Sequence, residues 1–328
     1  MAFSYNIYGY KMISDIEFIQ LTRADENEIE CSMFAASYNG SVVKKTNDEN
    51  DEVFFVREVF KLPDRLVKSK EKSGKLYVFD TVFSFIENKT LYMWAEEGTT
   101  LYFKRKNNAN EQYVRTYLLG FGLAMLMMQR GELALHCSVV MNNDRAVILC
   151  GESGCGKSTV TANLLDSGWS FMADDMAVVS VKGGEVFVRP AFPYQKLCRD
   201  AAIDKKLELD KLIYIDEAKD KFMVKYEGDF CNKPVKIGML VMLLWNEMDN
   251  LVVDKVTGLE KMRVVAENLF LRKLLGKDKY GPVTGKKCLE ISAHIPVYVM
   301  ARNKTCITAE QICCEIENLC KTTKIENK

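Results

Sequence analysis

The stretch Ala146-Val147-Ile148-Leu149-Cys150-Gly151-Glu152-Ser153-Gly154-Cys155-Gly156-Lys157-Ser158-Thr159 decides how the rest of the chain is read. Residues 146–150 are all apolar and make a short strand of the kind buried in a central sheet. Gly151 and Gly156, with four residues between them, let the chain wrap until several backbone N–H groups converge on one phosphate. A helix opening at Lys157 adds the positive end of its dipole. In such a cradle Lys157 reaches the β- and γ-phosphates and the Ser158 hydroxyl is placed to ligate Mg2+. Ser153, Gly154, Cys155 and Thr159 complete the expected nucleotide-binding set. Apolar spacing predicts a helix over 157–167 with Val160, Leu164 and Leu165 facing the sheet, and Gly168 as its stop.

Asp174 and Asp175 follow Lys157 by one helix and one short strand, so the chain returns to the sheet edge that carries the loop. One carboxylate there can hold Mg2+ and its neighbour can accept a proton from an attacking hydroxyl. Paired acids also end strands for no chemical reason, but beside a phosphate loop they read as phosphoryl-transfer groups. His136 lies earlier, in the apolar run 133–140. A lone histidine there is more often a core residue than a catalyst, and spacing alone does not place it.

Working outward, residues 5–10, 53–56, 76–86, 91–94 and 101–103 are rich in aromatic and β-branched types and predict strands. Polar breaks fall at 44–52 and 64–75, so a small antiparallel sheet or sandwich is expected over residues 1–112, with 104–112 as a linker. A second domain, 113–328, opens on a helical pattern at 113–129 whose two glycines allow close packing. Gly183-Gly184 predicts a hairpin, and 239–244 a core strand. Thr257 to Glu260 and Thr308 to Gln311 have the spacing of capping boxes.

Lys plus Arg and Asp plus Glu both number 45, giving zero formal net charge. That balance argues against a nucleic-acid partner or a polybasic membrane anchor. The most apolar stretch, 118–128, is too short to span a bilayer, and the first residues lack the pattern of a secretory signal. The 11 cysteines, odd in number and without a C-x-x-C pair, predict reduced thiols in a cytoplasmic protein and no zinc site.

The segments 135–140, 146–158 and 168–175, with histidine, phosphate loop and paired aspartates in this order and spacing, resemble the catalytic core of HPr kinase/phosphorylase. That family shares its fold with the phosphoenolpyruvate carboxykinases. The opening Tyr5-Asn6-Ile7-Tyr8-Gly9-Tyr10 and the segment 130–136 look closer to a divergent branch, stand-alone kinases that phosphorylate a serine of lasso-type peptide precursors. The resemblance implies an α/β fold, a P-loop core domain with a smaller mainly-β N-terminal domain. It implies ATP and Mg2+ as cofactors and a peptide or small-protein acceptor with a serine, and it allows a homo-oligomer. Carried over by position, Asp174 is the base, Asp175 and Ser158 hold Mg2+, Lys157 stabilises the moving phosphoryl group, and His136 lies beside both. Thr159 stands where those kinases have an acid, and their glycine-rich segment beyond the acidic pair is missing here. Docking of HPr is therefore not expected, and a small hydroxylated metabolite such as free serine, or nucleotide binding without transfer, remain alternatives. Arg189, Arg199 and Arg272 are weaker candidates for phosphate or acceptor contacts.

Overall fold

The computed structural model describes residues 2–24, 53–73, 77–152, 154–216, 220–275, 281–303 and 308–326. They form two compact units, Met1–Arg130 and Gly131–Lys328. The expected break at 44–52 lies outside the described residues.

The first unit runs β1 (Phe3–Ile7), β2 (Tyr10–Ser14), β3 (Val53–Glu58), α1 (Asp64–Ser73), β4 (Tyr77–Val78), β5 (Phe83–Glu87), β6 (Leu91–Glu96), β7 (Thr100–Arg105), α2 (Glu111–Tyr117), a π-helical turn (Leu118–Gly122) and α3 (Leu123–Gln129). Its strands form one sheet in the order β1-β2-β3-β7-β6-β5-β4. The sheet is mixed rather than antiparallel, because β3 runs parallel to both β2 and β7. Strand composition does not report pairing direction, which is set by long connections. The strand expected at 5–10 is instead a hairpin, turning at Tyr8 and Gly9, both at positive φ. The polar stretch 64–75 holds helix α1 instead of a loop. Among the described side chains of that helix only Leu66 is fully buried, against Phe83, Phe85 and Trp94, too narrow a stripe to stand out in the sequence.

Helices α2 and α3 belong to this unit, so the division falls after Arg130 rather than after 112. A Cβ at Gly122 would lie 2.6 Å from Leu101 Cδ2, so glycine is what lets helix and strand approach. Gln129 donates to the Ala95 carbonyl (2.9 Å) and accepts from the Gly98 N–H (2.9 Å). The expected linker 104–112 is the end of β7 and a turn into α2, where the Asn110 side chain caps the helix.

The second unit runs β8 (Leu133–Leu135), β9 (Ser138–Asn142), β10 (Arg145–Gly151), α4 (Lys157–Asp166), β11 (Ser170–Ala173), β12 (Ala177–Lys182), β13 (Glu185–Arg189), β14 (Tyr194–Cys198), α5 (Arg199–Asp204), β15 (Ile213–Asp216), β16 (Lys221–Lys225), β17 (Val235–Trp245), β18 (Val252–Lys255), α6 (Leu259–Glu267), α7 (Arg272–Leu275), α8 (Pro282–His294), β19 (Val297–Arg302) and α9 (Ala309–Glu326). Its main sheet has the order β11-β9-β10-β17-β13-β12-β8, with β19 also beside β17 and β18 beside β19. A smaller sheet, β14-β16-β15, stands apart from it. The unit is α/β, as expected. Strands β10, β17 and β19 are mutually parallel neighbours, and alternate residues of β10 and β17 serve opposite faces. Val147, Leu149, Met239, Val241 and Leu243 pack under α4 and α9 with Val160, Leu164, Ile312 and Ile316. Met242 points the other way, toward Asn268 just beyond α6. This two-sided burial explains why 146–150 is uniformly apolar.

Local signals hold where they are self-contained. Gly183 and Gly184, both at positive φ, turn β12 into β13. Thr308 and Gln311 bond reciprocally as a capping box (2.9 and 3.4 Å). Thr257 does not cap: Gly258, at φ 59°, turns the chain in one residue later and is itself the N-cap of α6. Helix α4 ends in a Schellman motif, with Gly168 N–H on the Leu165 carbonyl and Trp169 N–H on that of Leu164. Among the described residues no helix is long and apolar enough to cross a membrane.

Gly168 sits at φ 87° with nothing within 4 Å of an added Cβ, so only backbone conformation opposes a side chain there. Gly168→Ala is expected to cost about 1 kcal/mol and Gly168→Asn less, measured by urea denaturation. Equal stability of all three proteins would remove the left-handed stop from the account of α4.

Candidate active site

The phosphate loop is fastened from below. Cys155 is buried in the core under α4. Gly151, at φ 142°, lies so close that an added Cβ would be 2.5 Å from Cys155 Sγ and 2.6 Å from the Leu243 carbonyl oxygen. Gly154 (φ 90°) and Gly156 (φ 98°) also take backbone that side chains disfavour. Gly156 is the N-cap of α4 and offers no side-chain oxygen, so the first-turn N–H groups keep their capacity for an anion. Ser158 and Thr159 are exposed on that turn. Ser153 lies outside the described residues. Lys157 Nζ folds back onto the carbonyls of Gly151 (2.6 Å) and Glu152 (3.2 Å). Burial pushes the Cys155 thiol up, against the opposing pull of Lys157, nearby backbone N–H groups and Arg302.

Strand register brings the acidic pair to this loop. β9 is antiparallel to both β10 and β11, pairing Ser138 with Leu149 and Val139 with Ala173. The ends of β10 and β11 therefore share one edge. A bulge between Phe171 and Ala173 re-aims the chain just before Asp174, and the freed Met172 carbonyl accepts from Ala191 N–H. Asp174 Oδ1 accepts from the Ser138 hydroxyl (2.6 Å) and Oδ2 from the Lys196 N–H (2.8 Å). Asp175 adopts φ 67°, a conformation costly for a non-glycine residue and held by its partners. Its Oδ2 is 2.6 Å from Lys196 Nζ, and its Oδ1 is 3.8 Å from His136 Nδ1. Burial alone would raise the Asp175 carboxyl, but the ammonium of Lys196, then His136 and Lys221, outweigh it and hold it well below the usual carboxylate range.

His136 lies between β8 and β9, two strands that occupy different places in the sheet. Its N–H donates to the Asn268 carbonyl (2.7 Å), and its ring leans on Phe270. Nδ1 lies 3.1 Å from the Asp175 carbonyl oxygen. A carbonyl only accepts, so Nδ1 carries the proton and Nε2 remains an acceptor. Burial pushes the His136 pKa down; Asp175 and Asp174 resist this and Lys157 adds to it. The ring is neutral near pH 7.

Of the residues read from the sequence, Asp174, Asp175, His136 and Lys157 converge. The weaker arginine candidates do not. Arg189 pairs with Glu132 (2.9 Å) in the buried sheet, Arg199 with Asp220 on the surface, and Arg272 donates to the Glu267 carbonyl (2.9 Å). Three further groups at this edge carry no local sequence signal. Ser138 and Lys196 hold the aspartates as just described. Arg302, ending β19, comes so near the loop that a Cβ on Gly156 would be 2.5 Å from its Nη2, and it stacks over Trp245 (4.7 Å). That guanidinium is a fixed positive charge beside the cradle. The carboxyl ends of adjacent parallel strands are where such residues gather, but adjacency of β10, β17 and β19 cannot be read from one sequence.

No family model matches the chain. An HPr kinase/phosphorylase of Chlorobium limicola (strain DSM 245 / NBRC 103803 / 6330) is 25% identical over 182 residues, 53% of this chain and 50% of that protein. The chain thus spans about half the length of the curated relative it matches. The solved HPr(Ser) kinase/phosphatase from Coxiella burnetii aligns at 12% identity and a TM-score of 0.30, covering 59% of this chain and 97% of that one. Over those 182 residues the chain is similar in sequence to an HPr kinase/phosphorylase.

Gly151→Ala is expected to destabilise the protein by about 1–3 kcal/mol and to abolish nucleotide binding, checked by thermal melting and by titration with a fluorescent ATP analogue. His136 has a lower pKa folded than unfolded, so below about pH 6.5 the unfolded chain takes up more protons. Stability should fall with acidity from that point, levelling once the folded ring also protonates. His136→Gln should flatten that portion of a plot of urea-unfolding free energy against pH; an unchanged slope would remove the neutral ring from the description.

Proposed function

We propose that the protein is an ATP-dependent kinase that transfers the γ-phosphoryl group to a serine hydroxyl of a peptide or small protein. The observation that carries this reading is the unequal treatment of two adjacent carboxylates at the edge that bears the phosphate loop. Asp174 is positioned by two hydrogen-bond donors and Asp175 is ion-paired. Pure nucleotide binding needs one acid; a second, separately oriented acid suits proton abstraction from an acceptor.

The donor set fits Mg2+. Asp175 and Ser158 offer hard oxygens, and among the described residues no cluster of three or more His, Cys, Asp or Glu side chains forms a protein cage. Mg2+ is commonly held by one or two protein oxygens, with phosphates and water completing its octahedron. When bound, it would neutralise charge on the phosphates. The remaining work falls to the chain. First-turn N–H groups of α4 and the Lys157 ammonium bind the phosphates, Lys157 exchanging its bonds to Gly151 and Glu152 for bonds to phosphate oxygens. Asp174, fixed by Ser138 and Lys196 N–H, accepts the proton of the incoming hydroxyl. Neutral His136 presents Nε2 as an acceptor beside the pair. Likeness to an HPr kinase/phosphorylase supports kinase chemistry, while the Thr159 departure and the missing glycine-rich segment favour an acceptor other than HPr. The N-terminal likeness to the lasso-type precursor kinases favours a ribosomal peptide.

Incubation with Mg·ATP and, separately, serine-containing precursor peptides, HPr and free serine should add the mass of one phosphate to the peptides alone. Gain by free serine only would transfer the reading to a metabolite kinase, and ATP binding with no acceptor modified would end the kinase reading. Asp174→Asn should keep nucleotide affinity and lower turnover by about 10²–10⁴-fold, whereas Lys157→Ala should weaken both. Near-normal turnover of Asp174→Asn would sink its assignment as base.

A further inference from the structure

We propose that Lys196 is a movable counter-charge that makes divalent-metal binding at Asp175 conditional on a bound polyphosphate. The inference rests on the reading of Asp175 as a metal ligand.

The Lys196 ammonium sits 2.6 Å from Asp175 Oδ2, on the lone pairs that a divalent ion would use. The two side chains are only 21% and 19% exposed. An ion that takes Asp175 therefore leaves a largely buried ammonium without its partner, which is strongly unfavourable. Among the described residues, the other carboxylate at this edge is Asp174. Asp174 already accepts from Ser138 and from Lys196 N–H. Lys221, paired with Cys198 across β14 and β16, acts on Asp175 as a further positive charge. Metal alone would thus add a divalent cation to a site where Lys196 and Lys221 already face the aspartates. A polyphosphate reverses the balance, because its oxygens give both the metal and the released ammonium an anionic partner.

The backbone permits such a swing. The Lys196 N–H that positions Asp174 belongs to β14, whose pairing with β16 runs the length of the strand. The flexible four-carbon stem can move while that N–H stays put. Asp174 would keep its orientation as Lys196 moves. By linkage, polyphosphate would tighten metal binding by the same factor by which metal tightens polyphosphate binding.

The test uses the full chain and Mn2+, whose free ion is counted by electron paramagnetic resonance, with and without a saturating non-hydrolysable ATP analogue. Wild-type protein should bind Mn2+ weakly alone and far more tightly with the analogue. Lys196→Gln should tighten binding of Mn2+ alone by at least about tenfold, the lower end of couplings between close charges, and so narrow the gap. Lys196→Met, checked alongside by thermal melting, should do the same and guards against an effect of the glutamine amide. Unchanged Mn2+ affinity in both variants overturns the proposal. Asp175→Asn separates it from the reading beneath: that variant should lose Mn2+ binding in the presence of the analogue. If it does and the Lys196 variants are unchanged, only the counter-charge fails; if it binds Mn2+ normally, the metal assignment itself fails.

Discussion

Strand β9 is the constraint on which the site depends. It is hydrogen-bonded on one side to β10, which carries the phosphate loop, and on the other to β11, which carries the aspartates. Because β9 opposes both, the two outer strands run the same way and finish at one edge. Side chains alternate along a strand, so a one-residue slip of β9 would turn Ser138 to the other face and withdraw its hydroxyl from Asp174. Uniformly buried Val139 and Val140 do not resist such a slip by pattern alone. The turn at Asn143 and Asp144, both at positive φ, fixes the register of β9 against β10.

Two adjacent carboxylates in a partly buried edge would repel each other if treated alike. The fold treats them differently. Asp174 accepts from neutral donors, a hydroxyl and a backbone N–H, which orient it without supplying a full positive charge. Asp175 is twisted into left-handed backbone, which turns it toward Lys196 and brings its carbonyl to His136. The strain in that residue is thus what separates the two acids in direction and in electrostatic environment. Both partners from β14 come through a single residue, so the small sheet fixes the geometry of an edge to which it contributes no strand.

What could be read from the sequence follows locality. The stop of α4, the Gly183-Gly184 hairpin and the Thr308 capping box each depend on residues within one turn or hairpin, and all take the form their spacing implies. Ser138, Lys196 and Arg302 could not be identified as site residues, because each is brought in by a strand neighbour determined far away in the chain. Lys196 looks like any exposed lysine of an alternating strand. The N-terminal sheet was legible in its strands but not in its directions, since β3 reaches its two parallel neighbours through long connections. Helix α1 was hidden because one buried leucine suffices to dock it. Thr257 shows the opposite failure: the motif is present, but Gly258 offers the chain an easier entry to the helix.

A cysteine set in a phosphate loop, at the head of a helix and near lysine and arginine, has the surroundings that ordinarily create a reactive thiolate. Cys155 escapes that outcome because its side chain is the peg that fastens the loop to the core, and burial keeps it protonated. The same packing that shapes the cradle therefore shields it from electrophiles and oxidants. Among the described cysteines, exposed Cys198 and Cys314 are the ones open to such reagents, so the glycine-rich loop can keep its form through an oxidative episode that marks the surface of the protein.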